Sequence, residues 1–507
     1  MEKEKVYIIH PYLIAISPAI FIYAHNFEQV HYSLVFQAVI LILCSTYVLT
    51  LTWQYIIGNN FKSGIITSTV LFVFVNYGQL VDYILSLSFS SPVFVRHRYL
   101  VLTLSLILIL LVYLVIKTNN SLINLTKFLN IVMLISVMIS FVHIVSKLVF
   151  EYKHRSQENI KRTATTSTDQ DRKGVFPDIY YIILDGYAGY NTLKELWHYD
   201  NSDFLNYLWS KGFYVATDSR SNYGVTHLSL SSSLNMEYLD SLENKIGSEI
   251  INNKGRAYKL IENNEVMSFL KHQGYKIINF STNWPGTMIN KNADINIDCG
   301  KIPPYIRLLL QSSLIRAYTD KISFFSRKHR ERILCTLSKL PETKSMIDGP
   351  RFVFAHIISP HPPWVFDKNG RQPEKGDLHF LNNDWGDEQA YLDQLIFINS
   401  KIEDVIEGIL VEADVLPIII IQSDHGPSLG KDYVKHSDKI RSVAEMNILN
   451  AYFLPDDGKK LLYNFISPVN TFRLIFNYYF HTNLNLLDDK SYWHIELGKK
   501  GLLPSDH

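Results

Sequence analysis

The 507-residue sequence predicts an N-terminal all-α transmembrane bundle of about five helices, followed by a C-terminal α/β domain with a mostly parallel central sheet. The prediction depends on two observations. Long uncharged apolar runs are confined to residues 1–150, whereas the rest of the chain has the mixed composition of a soluble domain. In that second part, short runs of β-branched and aromatic residues alternate with helix-like stretches, a pattern typical of strands covered on both faces by helices.

Five apolar stretches approach the length that crosses a bilayer. A hydrocarbon core roughly 30 Å thick needs about 20 residues of helix, at about 1.5 Å per residue. The five stretches are residues 6–23, 33–56, 64–87, 99–116 and 125–150. Asp82 is their only carboxylate, and a charge is costly at any depth in a bilayer. It either marks a functional polar site or lies near the end of its helix, close to water.

The positive charges give a weak indication of topology. An odd number of crossings places the two ends of the chain on opposite sides of the membrane. Lys3 and Lys5 favour a cytoplasmic N-terminus, but Arg96 and Lys153 would then lie outside, against the usual bias. We expect a multi-pass cell-membrane protein with an extracytoplasmic C-terminal domain, mainly because of the resemblance described below.

Three segments are predicted: a transmembrane domain at 1–150, a linker at 151–175 and a catalytic domain at 176–507. The linker has almost no apolar residue to bury, so it is either a hydrated connection or a charged helix that fades into one. The net charge of +1 gives no reason to expect nucleic acid as a partner. Three cysteines exclude a disulfide scaffold. Cys299 and Cys335 can pair in an oxidising compartment, and two unpaired thiols fit the sequence equally well.

The α/β prediction places five strands and three helices in the second part. The predicted strands are residues 178–184, 212–216, 275–280, 352–359 and 417–422. The predicted helices are residues 201–209, 262–272 and 387–411. In parallel sheets of this kind ligands bind beyond the carboxyl ends of the strands. The residues at those ends are therefore the candidates for a functional site.

Two strand ends carry potential metal ligands. Asp185 follows the first predicted strand and precedes a glycine, although a turn aspartate is the common role at such a position. Asp424 and His425 follow the last predicted strand. An adjacent carboxylate and imidazole suit a divalent ion such as Zn or Mn.

Two further segments carry a hydroxyl and an imidazole. Thr226 stands at a predicted helix start after Gly224, where it either caps the helix or lends its oxygen to a metal. The N-terminus of that helix would hold an anionic substrate. His361 lies between prolines just after a strand, as a donor to substrate or as a loop histidine.

Taken in order, four segments resemble the alkaline phosphatase superfamily, and within it the sulfatase-like membrane enzymes. That group includes lipoteichoic acid synthases and lipid A phosphoethanolamine transferases. The segments are DGY at 185–187, SNYGVTHLSL at 221–230, FAHIISPHPPW at 354–364 and SDHGP at 423–427. The stretches 447–453 and 466–473 look like those of bacterial membrane proteins labelled as containing a sulfatase domain. The resemblance implies a domain of alkaline phosphatase/sulfatase type.

The resemblance also implies roles for individual residues. Asp185, Asp424 and His425 would hold one divalent metal ion, Zn or Mn. Thr226 would be the nucleophile and would also touch the metal, while His361 would steady the transferring group. His436 looks like a late substrate-binding histidine, by a loose alignment.

One departure bears on the chemistry. Sulfate-ester hydrolases of this group carry a Cys/Ser-x-Pro/Ala-x-Arg motif, and no such motif occurs near Thr226 or at any cysteine. An unmodified threonine fits phosphoryl or phospho-alcohol transfer better than sulfate-ester hydrolysis. The expected partners are the lipid bilayer and a phospholipid or envelope glycan as substrate. The alternatives are a sulfuric ester hydrolase, and a non-catalytic envelope or transport protein on the same fold.

Overall fold

The computed structural model describes residues 6–27, 30, 32–86, 97–158, 176–246, 250–251, 253–282, 284–300, 302–321, 324–373, 385, 387–428 and 443–492. The chain forms two compact units. The first unit comprises residues 1–167 and 302–324, and the second comprises residues 168–301 and 325–507. Each unit is considered separately.

The helices and strands are numbered in chain order. The helices of the first unit are α1 (His10–His25), α2 (Tyr32–Ile57), α3 (Asn60–Ser86), α4 (His97–Lys117), α5 (Ile123–Glu158), α12 (Pro304–Ser312) and α13 (Arg316–Lys321). Those of the second unit are α6 (Tyr190–Leu196), α7 (Ser202–Ser210), α8 (Thr226–Asn235), α9 (Leu239–Ile246), α10 (Lys254–Glu262), α11 (Glu265–His272), α14 (Phe324–Lys339), α15 (Glu388–Glu412) and α16 (Pro468–Tyr479). The strands are β1 (Ile179–Leu184), β2 (Tyr214–Val215), β3 (Lys276–Ser281), β4 (Ile295–Asp298), β5 (Arg351–Ile357), β6 (Ile418–Gln422) and β7 (Asn450–Phe453).

Four helices of the first unit, α2 to α5, are long and apolar enough to cross a bilayer. Their exposed side chains are largely apolar, and α4 has no buried residue, as expected where lipid is the solvent. Helix α1 has 16 residues, or about 24 Å at about 1.5 Å each, which is shorter than a crossing helix requires. Within the described part of the chain, four helices therefore meet the requirements of a crossing, and α1 falls short of the length predicted for the first of about five.

Helix α1 packs along α5 inside this unit. At one end the backbone nitrogen of His10 donates to Oδ1 of Asn130 over 2.9 Å. At the other end the rings of His25 and His143 stack with their centroids 5.3 Å apart. Asn130 and His143 of α5 are thus used in contacts between helices.

The second unit contains a seven-stranded sheet in the order β2-β7-β6-β1-β5-β3-β4. Strand β1 lies at the centre and pairs in parallel with β5 on one side and β6 on the other. Strands β3 and β4 continue the parallel arrangement, and β7 is antiparallel to both β6 and β2. The predicted mostly parallel α/β sheet is confirmed, with β4 and β7 as strands that the sequence analysis did not place.

Helices cover both faces of this sheet, which is why its central strands are apolar throughout. Every residue of β1, β5 and β6 is buried. One face packs against α7, α14 and α15, and the other against α8, α11 and α16. Two-sided burial leaves only the strand ends available to a ligand, and the polar residues of interest lie there.

Cys299, one residue beyond β4, forms a disulfide with Cys335 of α14. The sequence left this pairing open. Among the described residues the free cysteine is Cys44, exposed on α2. Residues 159–175 of the predicted linker lie outside the described part of the chain, while Glu158 is the last residue of α5.

Candidate metal and active site

Three adjacent strands bring polar groups to one edge of the sheet. Leu184, the last residue of β1, pairs with Ile357 of β5, and Ile183 pairs with both His356 and Gln422. Because the strands are parallel and end in register, the residues that follow them converge. Asp185 follows β1, and Asp424 and His425 follow β6 after one intervening serine.

The structure brings the predicted metal ligands together in a buried cluster. Nε2 of His425 lies 3.3 Å from Oδ2 of Asp424 and 3.6 Å from Oδ1 of Asp185. Ligand atoms of Asp185, Asp424 and His356 all lie within 4.8 Å of one another. Asp185 and Asp424 are each only 2% exposed, so bulk water does not solvate their carboxylates.

Two carboxylate oxygens in this cluster fit a metal ion. Oδ1 of Asp185 and Oδ2 of Asp424 are buried and accept no hydrogen bond from the described residues. The other Asp424 oxygen, Oδ1, accepts from the backbone nitrogen of Gly186 at 3.2 Å. Two buried anionic oxygens without donors are costly unless a cation lies between them. Oxygen and nitrogen donors of this kind suit a divalent ion such as Zn or Mn.

The tautomer of His425 leads to the same conclusion. Its Nδ1 lies 2.6 Å from the carbonyl oxygen of Gly426, and a carbonyl only accepts, so Nδ1 carries the proton. In the neutral ring Nε2 then presents a lone pair to the oxygens of Asp185 and Asp424. Three electron-rich atoms face one another, and this arrangement is stable only with a positive charge among them. That charge is either a proton on Nε2 or a bound metal ion.

The pKa values follow from this crowding. Burial alone would raise the pKa of Asp185, but the neighbouring His361, His356 and His425 outweigh it and hold this pKa well below its ordinary value. Burial alone would lower the pKa of His425, but Asp424 and Asp185 outweigh it and raise this pKa. The cluster therefore favours an ionised Asp185 beside a positive charge.

Thr226 is the first residue of α8, and its hydroxyl points into the cluster. Oγ1 lies 3.1 Å from Nε2 of His425, and the residue is 8% exposed. It does not cap the helix, since Val225 holds the N-cap position with extended backbone. The helix-cap alternative for this threonine is therefore wrong. The hydroxyl is placed where a metal ligand or a nucleophile would be expected.

His361 lies at the rim of the cluster. Its backbone nitrogen donates to the carbonyl oxygen of Asp185 over 2.9 Å, which ties the loop after β5 to the end of β1. Nδ1 lies 2.5 Å from the carbonyl oxygen of Pro362 and donates to it, so Nε2 remains as the second ring nitrogen. The ring packs edge-on against Trp385 at 4.8 Å and lies 6.4 Å from the His425 ring between centroids. His361 is half-buried, so a substrate can reach it.

His356 is the site residue that the sequence analysis missed. It lies within β5 and is 2% exposed, and its Nε2 is 3.2 Å from Oδ2 of Asp185. Its Nδ1 is 2.9 Å from Oγ1 of Thr287, which is 2.8 Å from Oγ1 of Thr282. The sequence does contain an indication of this role. A histidine lies in an otherwise apolar strand, close to the carboxyl end at which the fold class predicts ligand binding.

His227 was also not selected. It follows Thr226, and its ring packs edge-on against Tyr258 at 6.3 Å. Tyr258 contacts Trp284, which in turn contacts His356. Burial lowers the pKa of His227 to about 4, so its ring is neutral near pH 7. One wall of the cluster is therefore a row of aromatic and neutral rings. The remaining predicted site residue, His436, lies outside the described residues.

Fold and site together define a membrane protein whose α/β domain carries a buried cluster of metal-ligand type. No family model and no curated relative matches the sequence. Among solved structures, the C-terminal periplasmic domain of phosphoethanolamine transferase EptC from Campylobacter jejuni is similar at 14% identity, covering 60% of this chain and 90% of that chain, with a TM-score of 0.39.

Two further structures extend this comparison. The C-terminal periplasmic domain of EptC from Escherichia coli in complex with Zn has 12% identity, covers 59% of this chain and 81% of that chain, and has a TM-score of 0.40. The integral membrane protein lipooligosaccharide phosphoethanolamine transferase A from Neisseria meningitidis has 13% identity, covers 92% of this chain and 94% of that chain, and has a TM-score of 0.37. These proteins are of the kind that the sequence resemblance names.

Proposed function

We propose that the chain is a membrane-anchored, metal-dependent transferase or hydrolase that acts on phosphoryl or phospho-alcohol groups through Thr226. One observation carries the proposal. The Thr226 hydroxyl lies 3.1 Å from Nε2 of His425, beside the two carboxylate oxygens of Asp185 and Asp424 that accept no hydrogen bond from the residues the structure describes. A hydroxyl, an imidazole nitrogen and two carboxylates at one point are the components of a metal-activated nucleophile.

In this proposal Asp185, Asp424, His425 and the Thr226 oxygen hold a single divalent ion, Zn or Mn. The bound ion would supply Lewis acidity, which lowers the pKa of a hydroxyl or polarises a phosphoryl oxygen. Thr226 Oγ1 would lose its proton to solvent and form the bond to phosphorus, while the bond from phosphorus to the leaving oxygen breaks on the opposite side and that oxygen takes a proton from solvent, which leaves a covalent phospho-threonine. Water or an acceptor hydroxyl would then lose a proton and attack the phosphorus, the bond to Oγ1 would break, and Thr226 would regain its proton.

The remaining residues position and neutralise charge. The N-terminus of α8 carries a partial positive charge at Thr226, which favours an anionic group there. His361 has its Nδ1 proton committed to Pro362, so Nε2 is the ring nitrogen that can take up a further proton, and in that form it would donate to a phosphoryl oxygen or to the leaving oxygen. The buried side chains around the cluster keep the local dielectric low, which strengthens each of these interactions.

We place this domain outside the cytoplasm, and its substrate in or at the membrane. The Cys299–Cys335 disulfide belongs to this domain, and such bonds persist in oxidising compartments outside the cytoplasm. With four crossings the two ends of the chain lie on one side of the membrane, so this location also places the N-terminus outside, against the expectation from Lys3 and Lys5. Helices α2 to α5 keep the domain with the bilayer, which favours a phospholipid or an envelope glycan as donor or acceptor.

The full-length protein in detergent micelles tests this function directly. We would measure metal content by mass spectrometry and turnover of a phosphodiester and an aryl sulfate for the wild type, Thr226→Ser and Thr226→Ala. The expected result is close to one ion per chain, turnover of the phosphodiester, loss of at least about 10³-fold in Thr226→Ala, and partial retention in Thr226→Ser. Absence of bound metal, full activity of Thr226→Ala, or turnover of the sulfate ester alone would each overturn the proposal.

A further inference from the structure

Residues 302–321 leave the sheet domain after Cys299 and belong by their contacts to the unit of the crossing helices. This segment contains α12 and α13, and neither is among the apolar stretches of the sequence analysis. The Cys299–Cys335 disulfide joins the chain before the segment to the chain after it. Residues 302–321 contribute no strand to the sheet. This segment, closed at its base by the disulfide, must therefore be stabilised by contacts elsewhere.

Helix α12 is held against α1 by a buried tyrosine. Tyr305 is 1% exposed, and its hydroxyl donates to the carbonyl oxygen of Ala19 over 3.0 Å. Tyr305 packs with Ala19 and Ala38, and Leu309 covers the same cluster. The contact is therefore apolar, with the one polar atom of the tyrosine satisfied.

The turn between α12 and α13 is held against α3 by the backbone itself. The backbone nitrogen of Leu314 donates to the carbonyl oxygen of Phe74 over 2.7 Å. Gly78, one turn further along α3, permits this approach, because a Cβ there would lie 2.0 Å from the carbonyl oxygen of Gln311. Only a residue without a side chain allows the two backbones to come so close.

An ion pair completes the contact. Arg316 is 2% exposed, and its Nη1 donates to the carbonyl oxygen of Gly78 at 3.0 Å and to Oδ1 of Asp82 at 2.8 Å. Asp82 is the carboxylate that the sequence marks within an apolar stretch. Its charge is thus paired with a residue 234 positions later in the chain, while the Asp82 side chain itself stays 66% exposed.

The contacts on α3 lie within its crossing segment and not beyond its end. Phe74 and Gly78 precede Ser86, the last residue of α3, by 12 and 8 positions, or about 18 and 12 Å of helix. The segment nevertheless keeps large apolar side chains on its outside: Leu308 and Ile315 are each 37% exposed, and Tyr318 is 64% exposed. Phe72 and Tyr83 of α3 are likewise exposed.

We propose that residues 302–321 form a membrane-inserted hairpin, docked on α1 and α3, whose outer residues Leu308, Ile315 and Tyr318 contact lipid acyl chains. We assign lipid to this apolar face for two reasons. The face lies level with the crossing part of α3, and it continues the exposed apolar surface of that helix. This inference does not depend on the chemistry proposed for Thr226. It gives the chain a second membrane attachment besides its N-terminal helices.

The test uses the full-length wild-type protein in nanodiscs of phosphatidylcholine and phosphatidylglycerol. A lipid-soluble aryl-diazirine is photoactivated, and labelled residues are located by tandem mass spectrometry. Leu106, exposed on α4, is the positive control, and Val411, 78% exposed on α15, is the matched apolar control. We expect Leu308, Ile315 and Tyr318 to be labelled within about threefold of Leu106 and at least about tenfold above Val411. Labelling no greater than that of Val411 would overturn the proposal.

A second measurement needs no variant. The Leu314 amide, bonded to Phe74 in a lipid-covered environment, should exchange with deuterium at least about tenfold more slowly than expected for an unprotected amide. Exchange at the unprotected rate would show that the segment is not docked, and would sink the proposal independently of the labelling.

Discussion

Nε2 of His356 donates a hydrogen bond to Oδ2 of Asp185 over 3.2 Å, while Nδ1 of the same ring lies 2.9 Å from Oγ1 of Thr287. The bond leaves Oδ1 of Asp185 as the oxygen that faces His425 and Asp424. Residues that hold a metal-ligating carboxylate in one orientation contribute to metal affinity even when they do not touch the ion. His356 therefore belongs to the site although no motif marks it.

Replacement of this histidine should weaken metal binding. We expect His356→Phe to lower the affinity for Zn about 10- to 100-fold, because the Asp185 carboxylate loses the donor that fixes it. The measurement is competition with a chelator of known affinity. Thr287→Val, which removes only the outer hydrogen bond, should have a smaller effect. Equal affinity of His356→Phe and wild type would show that the contact with Asp185 is not used in metal binding.

Gly186 should not tolerate a side chain. Its φ is +73°, and a Cβ there would lie 2.5 Å from the Trp385 ring. Gly274 is the matched control, since its φ is +86° and a Cβ there would have no heavy atom within 4 Å. Both Gly→Ala changes cost about 1–2 kcal/mol of backbone strain, but only Gly186→Ala should also displace Trp385 and reduce turnover. Thermal unfolding and phosphodiester turnover distinguish the two, and equal turnover would contradict the prediction.

The disulfide should contribute to stability. The paired cysteines are separated by 36 positions, and closing such a loop restricts the unfolded chain by about 3–4 kcal/mol in the chain-entropy treatment. We expect the double variant Cys299→Ser with Cys335→Ser to unfold at a clearly lower temperature than the wild type. Cys44→Ser, which removes a free thiol on α2, should leave unfolding unchanged. Unaltered unfolding of the double variant would refute the prediction.

His227 should make stability depend on pH in a defined window. Burial lowers its pKa to about 4 in the folded state, from an ordinary value of 6.5. Between these values the unfolded chain binds the proton and the folded chain does not, so the free energy of unfolding falls as the pH falls from 6.5 towards 4. The loss amounts to as much as about 3 kcal/mol. His227→Gln, which cannot titrate, should lose less over that window, and melting temperatures recorded from pH 4 to pH 7.5 measure the difference. Parallel curves for the two proteins would contradict it.

The membrane part shows where a sequence pattern is sufficient and where it is not. Uncharged apolar runs predict crossing helices because a bilayer imposes both length and composition, and α2 to α5 meet both requirements. Helix α1 is shorter than its apolar run suggests. Asp82 was left with two interpretations because its partner, Arg316, is distant in sequence, and no local pattern connects the two.

Local sequence patterns are sufficient to predict the order of the two parts, the mostly parallel sheet and the four segments that converge on one edge of it. Apolar periodicity and strand-end chemistry can be recognised from neighbouring residues, which is why these features are predictable. The three-dimensional structure was needed to show that His356 lies against Asp185, that Cys299 pairs with Cys335, and that residues 302–321 pack on the crossing helices. Each of these contacts depends on residues far apart in the chain that come together only when the sheet register and the helix packing are set.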